Sequence, residues 1–173
     1  MALWRTTFLV MVVLGVCGFT LEEGTVTDSV TTVITDPPAG QPAEERAAQD
    51  KLPQSHDGSW DILGQTKINF DEKSGLFQAD VPQSLKDMSG KTMKISGFIL
   101  PLEASDTFTH FLLSKRTPTC PFCPPGAPNE IIEVIADVPT EWDEGLVTYE
   151  GEFEVTNNAE LGVFFKLKDA QRK

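Results

Sequence analysis

From Trp60 onward the chain alternates apolar and polar residues with a period of two, and it almost never shows the three-to-four spacing of a helix. That pattern fixes the building material as strands. The clearest case is 146–157 (LVTYEGEFEVTN). Val147, Tyr149, Phe153 and Val155 point one way there, and Thr148, Glu150, Glu152 and Glu154 the other. Four more segments read the same way. Residues 91–102 (KTMKISGFILPL) follow a Ser89-Gly90 turn and place Met93, Ile95 and Ile99 on one face. Residues 107–114 and the β-branched run 130–138 follow, and 162–169 puts Val163, Phe165 and Leu167 together. Gly97 predicts a bulge or sharp bend of the kind small barrels use to close. Only 83–88, after Pro82, reads as a short helix, with a further turn at Glu160-Leu161.

Five strands with short connections predict a mainly β domain, a small five-stranded barrel of the oligonucleotide-binding (OB) type, with a β-sandwich as the alternative. Residues 60–70 are expected to add an early strand or to pad the barrel's open end. Trp60, Trp142 and Tyr149 read as core or rim packing.

The domain, residues 59–173, has two segments before it. Residues 1–18 (MALWRTTFLVMVVLGVCG) carry Arg5, an apolar run from Phe8 to Val16, and small or tolerated residues around a cut before Phe19. This is the layout of a secretory signal peptide, too short to span a bilayer comfortably. An uncleaved anchor and lipidation at Cys17 are the alternatives, and Val16 is the wrong residue for a lipobox. Membrane contact is therefore expected only through a retained or lipidated leader. Residues 19–58 are rich in Thr, Pro, Ala and Glu, with eight acids against Arg46 and Lys51. So little apolar surface predicts a disordered acidic linker, with at most a helical turn at 44–49 and with His56 as an ordinary polar residue.

Charge narrows the function. The chain carries 14 Lys+Arg against 26 Asp+Glu, a net charge of −12. A nucleic-acid partner needs a basic surface and is excluded. Phosphate loops, nucleophile elbows and zinc-protease helices are absent from the sequence. The acids Glu150, Glu152 and Glu154 read as a solvated face, or as a patch that attracts cations.

One constellation carries chemistry. Between the second and third strands runs Cys120-Pro121-Phe122-Cys123, followed by Pro124-Pro125-Gly126-Ala127-Pro128-Asn129. Export would place this pair where disulfides persist. Three readings stay open. A thioredoxin-like oxidoreductase needs a helix after the first Cys, which Pro124 and Pro125 forbid, so only a loop-borne redox pair survives. A metal site would use both thiolates, with His110 as a third ligand and Glu103 or Glu130 to complete the shell. Such a set suits copper(I) or zinc. His110 is expected on the face shared by Phe108 and Leu112, looking inward, where its ordinary role is a hydrogen-bonded strand residue. The third reading is a structural disulfide whose small ring adds modest stability.

From Trp60 onward the chain resembles a family of bacterial exported proteins and lipoproteins described as a domain of unknown function. The resemblance rests on Gly90-Lys91 leading to Gly97-Phe98-Ile99-Leu100-Pro101-Leu102, on Phe111-Leu112-Leu113-Ser114, and on the Cys120–Asn129 stretch with the strand after it. It implies a periplasmic or membrane-tethered location and makes Cys120 and Cys123 part of the family motif. It also implies a setting beside transport systems tied to metal handling, and it implies no activity. Together these readings favour a periplasmic, non-enzymatic domain that binds zinc or copper through Cys120 and Cys123, or that serves a membrane transporter handling one. The alternatives are an interaction module with a disulfide, meeting an envelope protein, and a loop-borne redox protein.

Overall fold

Ser96 and Gly97 sit where the β-barrel closes. The computed structural model of the protein describes residues 43–119 and 126–173. Strand β3 (Thr92–Pro101) pairs along its first half with β6 (Val147–Asn158), in the register Met93↔Gly151 to Gly97↔Val147. Along its second half it pairs with β4 (Thr107–Ser114), from Phe98↔Ser114 to Pro101↔Phe111. One strand thus serves two neighbours, and the change falls at Gly97. A Cβ there would stand 2.8 Å from the Ser114 carbonyl oxygen and 3.2 Å from the Trp60 ring, so only glycine lets the backbones approach.

Two further strands, β5 (Ile131–Glu141) and β7 (Val163–Arg172), complete a closed barrel in the order β3-β4-β5-β7-β6. The β5–β7 pair is parallel and the other four are antiparallel. This is the expected five-stranded OB-like barrel, and closure decides against the sandwich. All five barrel strands lie where the alternation places them.

The barrel is filled from the inward faces. Ile95, Phe111, Leu113, Ile132, Phe153, Phe165 and Leu167 are fully buried. Phe111 meets both Phe108 and Tyr149 edge-on, at centroid distances of 5.5 and 5.2 Å. Each such side chain contributes roughly 1.5–3 kcal/mol by leaving water. Gly151 makes room for β7, because a Cβ there would meet the Lys168 carbonyl at 2.5 Å.

Residues 60–70 do both things expected of them. Helix α2 (Gly58–Leu63) buries Trp60 and Leu63 in the barrel core. Strand β1 (Lys67–Asp71) then forms a hairpin with β2 (Leu76–Asp80), around a turn in which Gly75 takes φ +69° and Asp71 accepts from Lys73 N and Ser74 Oγ. Helix α3 (Gln83–Lys86) follows Pro82 as expected.

The N-terminal segment departs from expectation in its last part. The leader 1–18 and linker residues 19–42 lie outside the described residues. From Ala43 the chain is structured, with helix α1 (Ala43–Gln49) and a strap to Asp57 held on the barrel. Hydrogen bonding does this where apolar burial could not. Ser55 Oγ donates to the Ser96 carbonyl (2.5 Å), Ser96 N donates to Asp57 Oδ2 (3.0 Å), and Trp60 Nε1 donates to the same Ser96 carbonyl (2.7 Å). Asp57 also caps α2 by accepting from Ser59 N. Burial pushes the Asp57 carboxyl up, but the donors Ser59 and Ser96 outweigh it and hold the group below its ordinary value.

Candidate functional site

Cys120 and Cys123 lie outside the described residues, but the two ends of their loop do not. The loop leaves the barrel at Arg116, just after β4, and returns through Gly126 to a 3-10 turn at Pro128–Glu130, just before β5. Those ends are joined. Arg116 Nε donates to Glu130 Oε1 at 3.0 Å, while Glu130 Oε2 accepts from Arg46 Nη1 at 2.6 Å and from Ala127 N at 3.0 Å. Arg116 Nη1 also pairs with Asp50. Backbone bonds reinforce the junction, since Lys115 N donates to the Glu130 carbonyl and Ser55 N to the Lys115 carbonyl.

Glu130 is therefore a largely buried hub that accepts from three donors; its side chain and that of Arg116 are each 16% exposed. Burial alone would raise its carboxyl. The Ala127 N–H and the guanidiniums of Arg46 and Arg116 more than compensate and hold it below the ordinary carboxylate value. Gly126 lets the returning chain pack closely on Glu130, where a Cβ would stand 2.9 Å from Oε2 and push the carboxylate aside. The strap supplies the rest of the grip. Gln49 is buried and its Nε2 donates to the Thr117 carbonyl, Thr117 Oγ1 donates to the Pro53 carbonyl, and Thr119 Oγ1 donates to Glu45.

His110 sits elsewhere and faces the other way from expectation. In the β4–β5 pair Phe108 opposes Thr140 and His110 opposes Ile135, so a step of two on β4 matches a step of five on β5. This irregularity changes which residues point inward, and Phe108 and Phe111, three apart, are both buried. His110 consequently lies on the outer wall with its side chain about half exposed, and its Nε2 is 2.6 Å from Glu133 Oε1. Glu133 in turn pairs with Lys166 at 3.1 Å. His110 is four residues before Ser114, the end of β4, a distance of roughly 13 Å along a strand. Glu103 is exposed in the β3–β4 connection. Of the two carboxylates weighed for a metal shell, Glu130 is spent on the clasp.

The acidic face of β6 is matched by β7. Lys168 Nζ lies 3.4 Å from Glu152 and 3.3 Å from Glu154, and Lys173 Nζ lies 3.1 Å from Glu150. It is a solvated face with cross-strand lysines. Among the described residues no cluster of three or more His, Cys, Asp or Glu could hold a metal ion.

Sequence reading missed Arg46, Asp50 and Arg116 as partners of the loop. Arg46 and Glu130 are 84 residues apart. The one available signal was that Arg46 and Lys51 are the only basic residues of an otherwise acidic segment.

Comparison with known proteins gives a family match. Residues 38–163 match the family described as "Protein of unknown function (DUF3299)". A crystal structure of a DUF3299 family protein from Pseudomonas aeruginosa PAO1 is similar over 70% of this chain and 84% of that one, with 23% identity and a TM-score of 0.45. No curated protein matches the chain.

Proposed function

The chain belongs to the DUF3299 family, and from that premise we propose that it is an exported, periplasmic, non-enzymatic domain that binds a soft metal ion, zinc or copper, through Cys120 and Cys123. The observation that carries this reading is the clasp at the loop's base. Arg116 and Glu130 tie the start and the end of the Cys-bearing segment to each other, while Arg46 of α1 holds Glu130 and Asp50 holds Arg116. A loop whose ends are fixed loses less entropy when two thiolates converge on one ion. Thiolates are the donors that copper(I) and zinc prefer. The acid excess raises the local concentration of cations.

A third ligand from His110 requires the loop to fold back along the outer face of β4. There Glu133 holds the imidazole Nε2, as a carboxylate commonly does behind a metal-bound imidazole, and leaves Nδ1 for an ion. Delivery to, or receipt from, a membrane transporter fits a domain that holds such an ion and performs no reaction on it.

The test is a free-thiol titration with elemental analysis on protein purified anaerobically from the periplasm. Near-stoichiometric zinc or copper, with two thiols that react only after chelation, is the expected result. Absence of metal, with no thiol until a reductant is added, would sink the reading. The bond's reduction potential would then separate a structural disulfide from a redox pair. Cys120→Ser/Cys123→Ser should abolish metal retention, and His110→Ala should weaken it if the imidazole contributes.

A further inference from the structure

The barrel wall has a seam along the second half of β3. β6 accompanies β3 only as far as Gly97, and from Phe98 to Pro101 β3 is paired on its β4 side alone. Among the described residues no strand lies on the other edge of Phe98–Pro101. A groove of about 630 Å³ runs beside that edge, with Phe98, Leu100, Pro101, Pro118, Trp142 and Glu144 in its lining. Trp142 is 55% exposed, on a turn fixed by Asp143 Oδ1 accepting from Gly145 N.

We propose that this seam docks an extended segment of a partner protein, added as a strand along Phe98–Pro101, with an apolar side chain against Trp142 and a lysine or arginine opposite Glu144.

Three observations lead there. The first is the edge itself: unpaired strand backbone is a template for another extended chain, and side-chain slots beside it give selectivity. Pro101 has no N–H, so the ladder ends there, and the paired stretch is short, on the order of four residues or 13 Å. The second is Trp142. A large aromatic ring left half in water beside Leu100 and Pro118 supplies the anchor that dominates small interfaces. The third is charge. Among the described residues no lysine or arginine lines the groove. Asp143 is occupied by Arg172 at 2.5 Å, whereas Glu144 has no ion-pair partner among the described residues. A basic segment is therefore drawn in. A second copy of the chain brings another −12 with it and is disfavoured. This surface stands independently of any metal at the Cys pair.

The probe is a blocked seven-residue peptide of alternating lysine and valine, titrated into the full chain at low salt and followed by amide chemical shifts and Trp fluorescence. Two companions share its length, one with glutamate for lysine and one N-methylated at alternate amides. The expected result is a shift perturbation centred on Phe98–Leu100 and Trp142. Trp142→Ala and Glu144→Lys should each weaken binding roughly tenfold, and the Glu144→Lys effect should fade with added salt. Both substituted positions are exposed, so the variants should fold. The N-methylated peptide should not bind at the edge. Equal binding by the N-methylated peptide overturns strand addition, and equal binding by the acidic peptide overturns the charge argument. Failure of the lysine–valine peptide to bind at concentrations near millimolar overturns the proposal outright. A concentration-dependent dimer that Trp142→Ala abolishes would assign the seam to a second copy instead, and that too overturns it.

Discussion

Two of the charge networks on this barrel are built for different ends. At the base of the Cys-bearing loop, Glu130 gathers Arg46, Arg116 and the Ala127 N–H, with Asp50 on the far side of Arg116. The participants come from α1, the end of β4 and the turn before β5, so the network ties α1, which no strand ladder holds, to the β4–β5 junction. Along β6 and β7, Glu152 and Glu154 share Lys168 on an open sheet face whose strands are already hydrogen-bonded to each other. The first network determines where chain segments go. The second relieves repulsion on a wall that stands without it. Burial sets the energetic difference, because the Glu130 side chain is 16% exposed and those of Glu152 and Glu154 are 47% and 43%.

The largest effect should come from removing the hub. Glu130→Ala leaves two guanidiniums facing each other without their shared carboxylate, and should cost about 3 kcal/mol in urea unfolding. Arg46→Met should cost less, about 1 kcal/mol, because Glu130 keeps Arg116 and Ala127. If Glu130→Ala cost no more than Arg46→Met, the clasp would be decoration and the contrast would fail. The same variant should make Cys120 and Cys123 react faster with a thiol reagent, whereas no substitution on β6 or β7 should alter that rate.

Acid sharpens the comparison. Glu130 has a folded value below its ordinary 4.5, so its contribution is full above about pH 4.5 and is lost as pH falls through the folded value. Asp57, also held low, adds to the same decline from 3.8 downward. Glu130→Gln cannot titrate. Its stability should be lower at neutral pH and flatter between about pH 5 and pH 3. Parallel pH curves for the variant and the parent would show that Glu130 titrates alike in both states.

How much of this was readable in advance follows from the same distinction. Strands were legible because burial writes itself as alternation, and every barrel strand was placed from it. Gly97 declared the bend, since a glycine inside an apolar strand has few other reasons to be there. What stayed hidden was the pairing offset across β4 and β5, a relation between two segments that neither segment encodes alone. That offset turned His110 outward. The strap was hidden for a different reason. Gln49, Ser55 and Asp57 are ordinary linker residues until their acceptors and donors on Ser96 and Thr117 are in place, and hydrogen-bonded docking leaves no periodic trace. The clasp at the base of the Cys-bearing loop was hidden in the same way, because Arg46 reaches Glu130 from 84 residues away.

A buried polar group without a partner offers the converse of the hub. Tyr149 is 1% exposed and its hydroxyl has no hydrogen-bond partner among the described residues, while its ring packs on Phe111. Tyr149→Phe keeps the ring and removes the stranded oxygen, and should stabilise the barrel by up to about 1 kcal/mol. A loss of stability would mean that the hydroxyl is satisfied in solution.

The smallest effect belongs to the exposed ladder. Lys168 has its ammonium held in the charged form by hydrogen bonds and charge from Glu154 and then Glu152, yet it sits on a solvent-facing wall with its side chain 39% exposed. Lys168→Met removes that cation and leaves two carboxylates two residues apart on β6, with solvent to screen them. The melting temperature should stay close to that of the parent at physiological salt and fall slightly at low salt, where screening no longer covers the repulsion. A large loss at physiological salt would mean that β6 and β7 depend on the ladder for pairing. The outer wall would then belong in the same class as the clasp, and the division between networks that place segments and networks that merely neutralise them would not hold for this barrel.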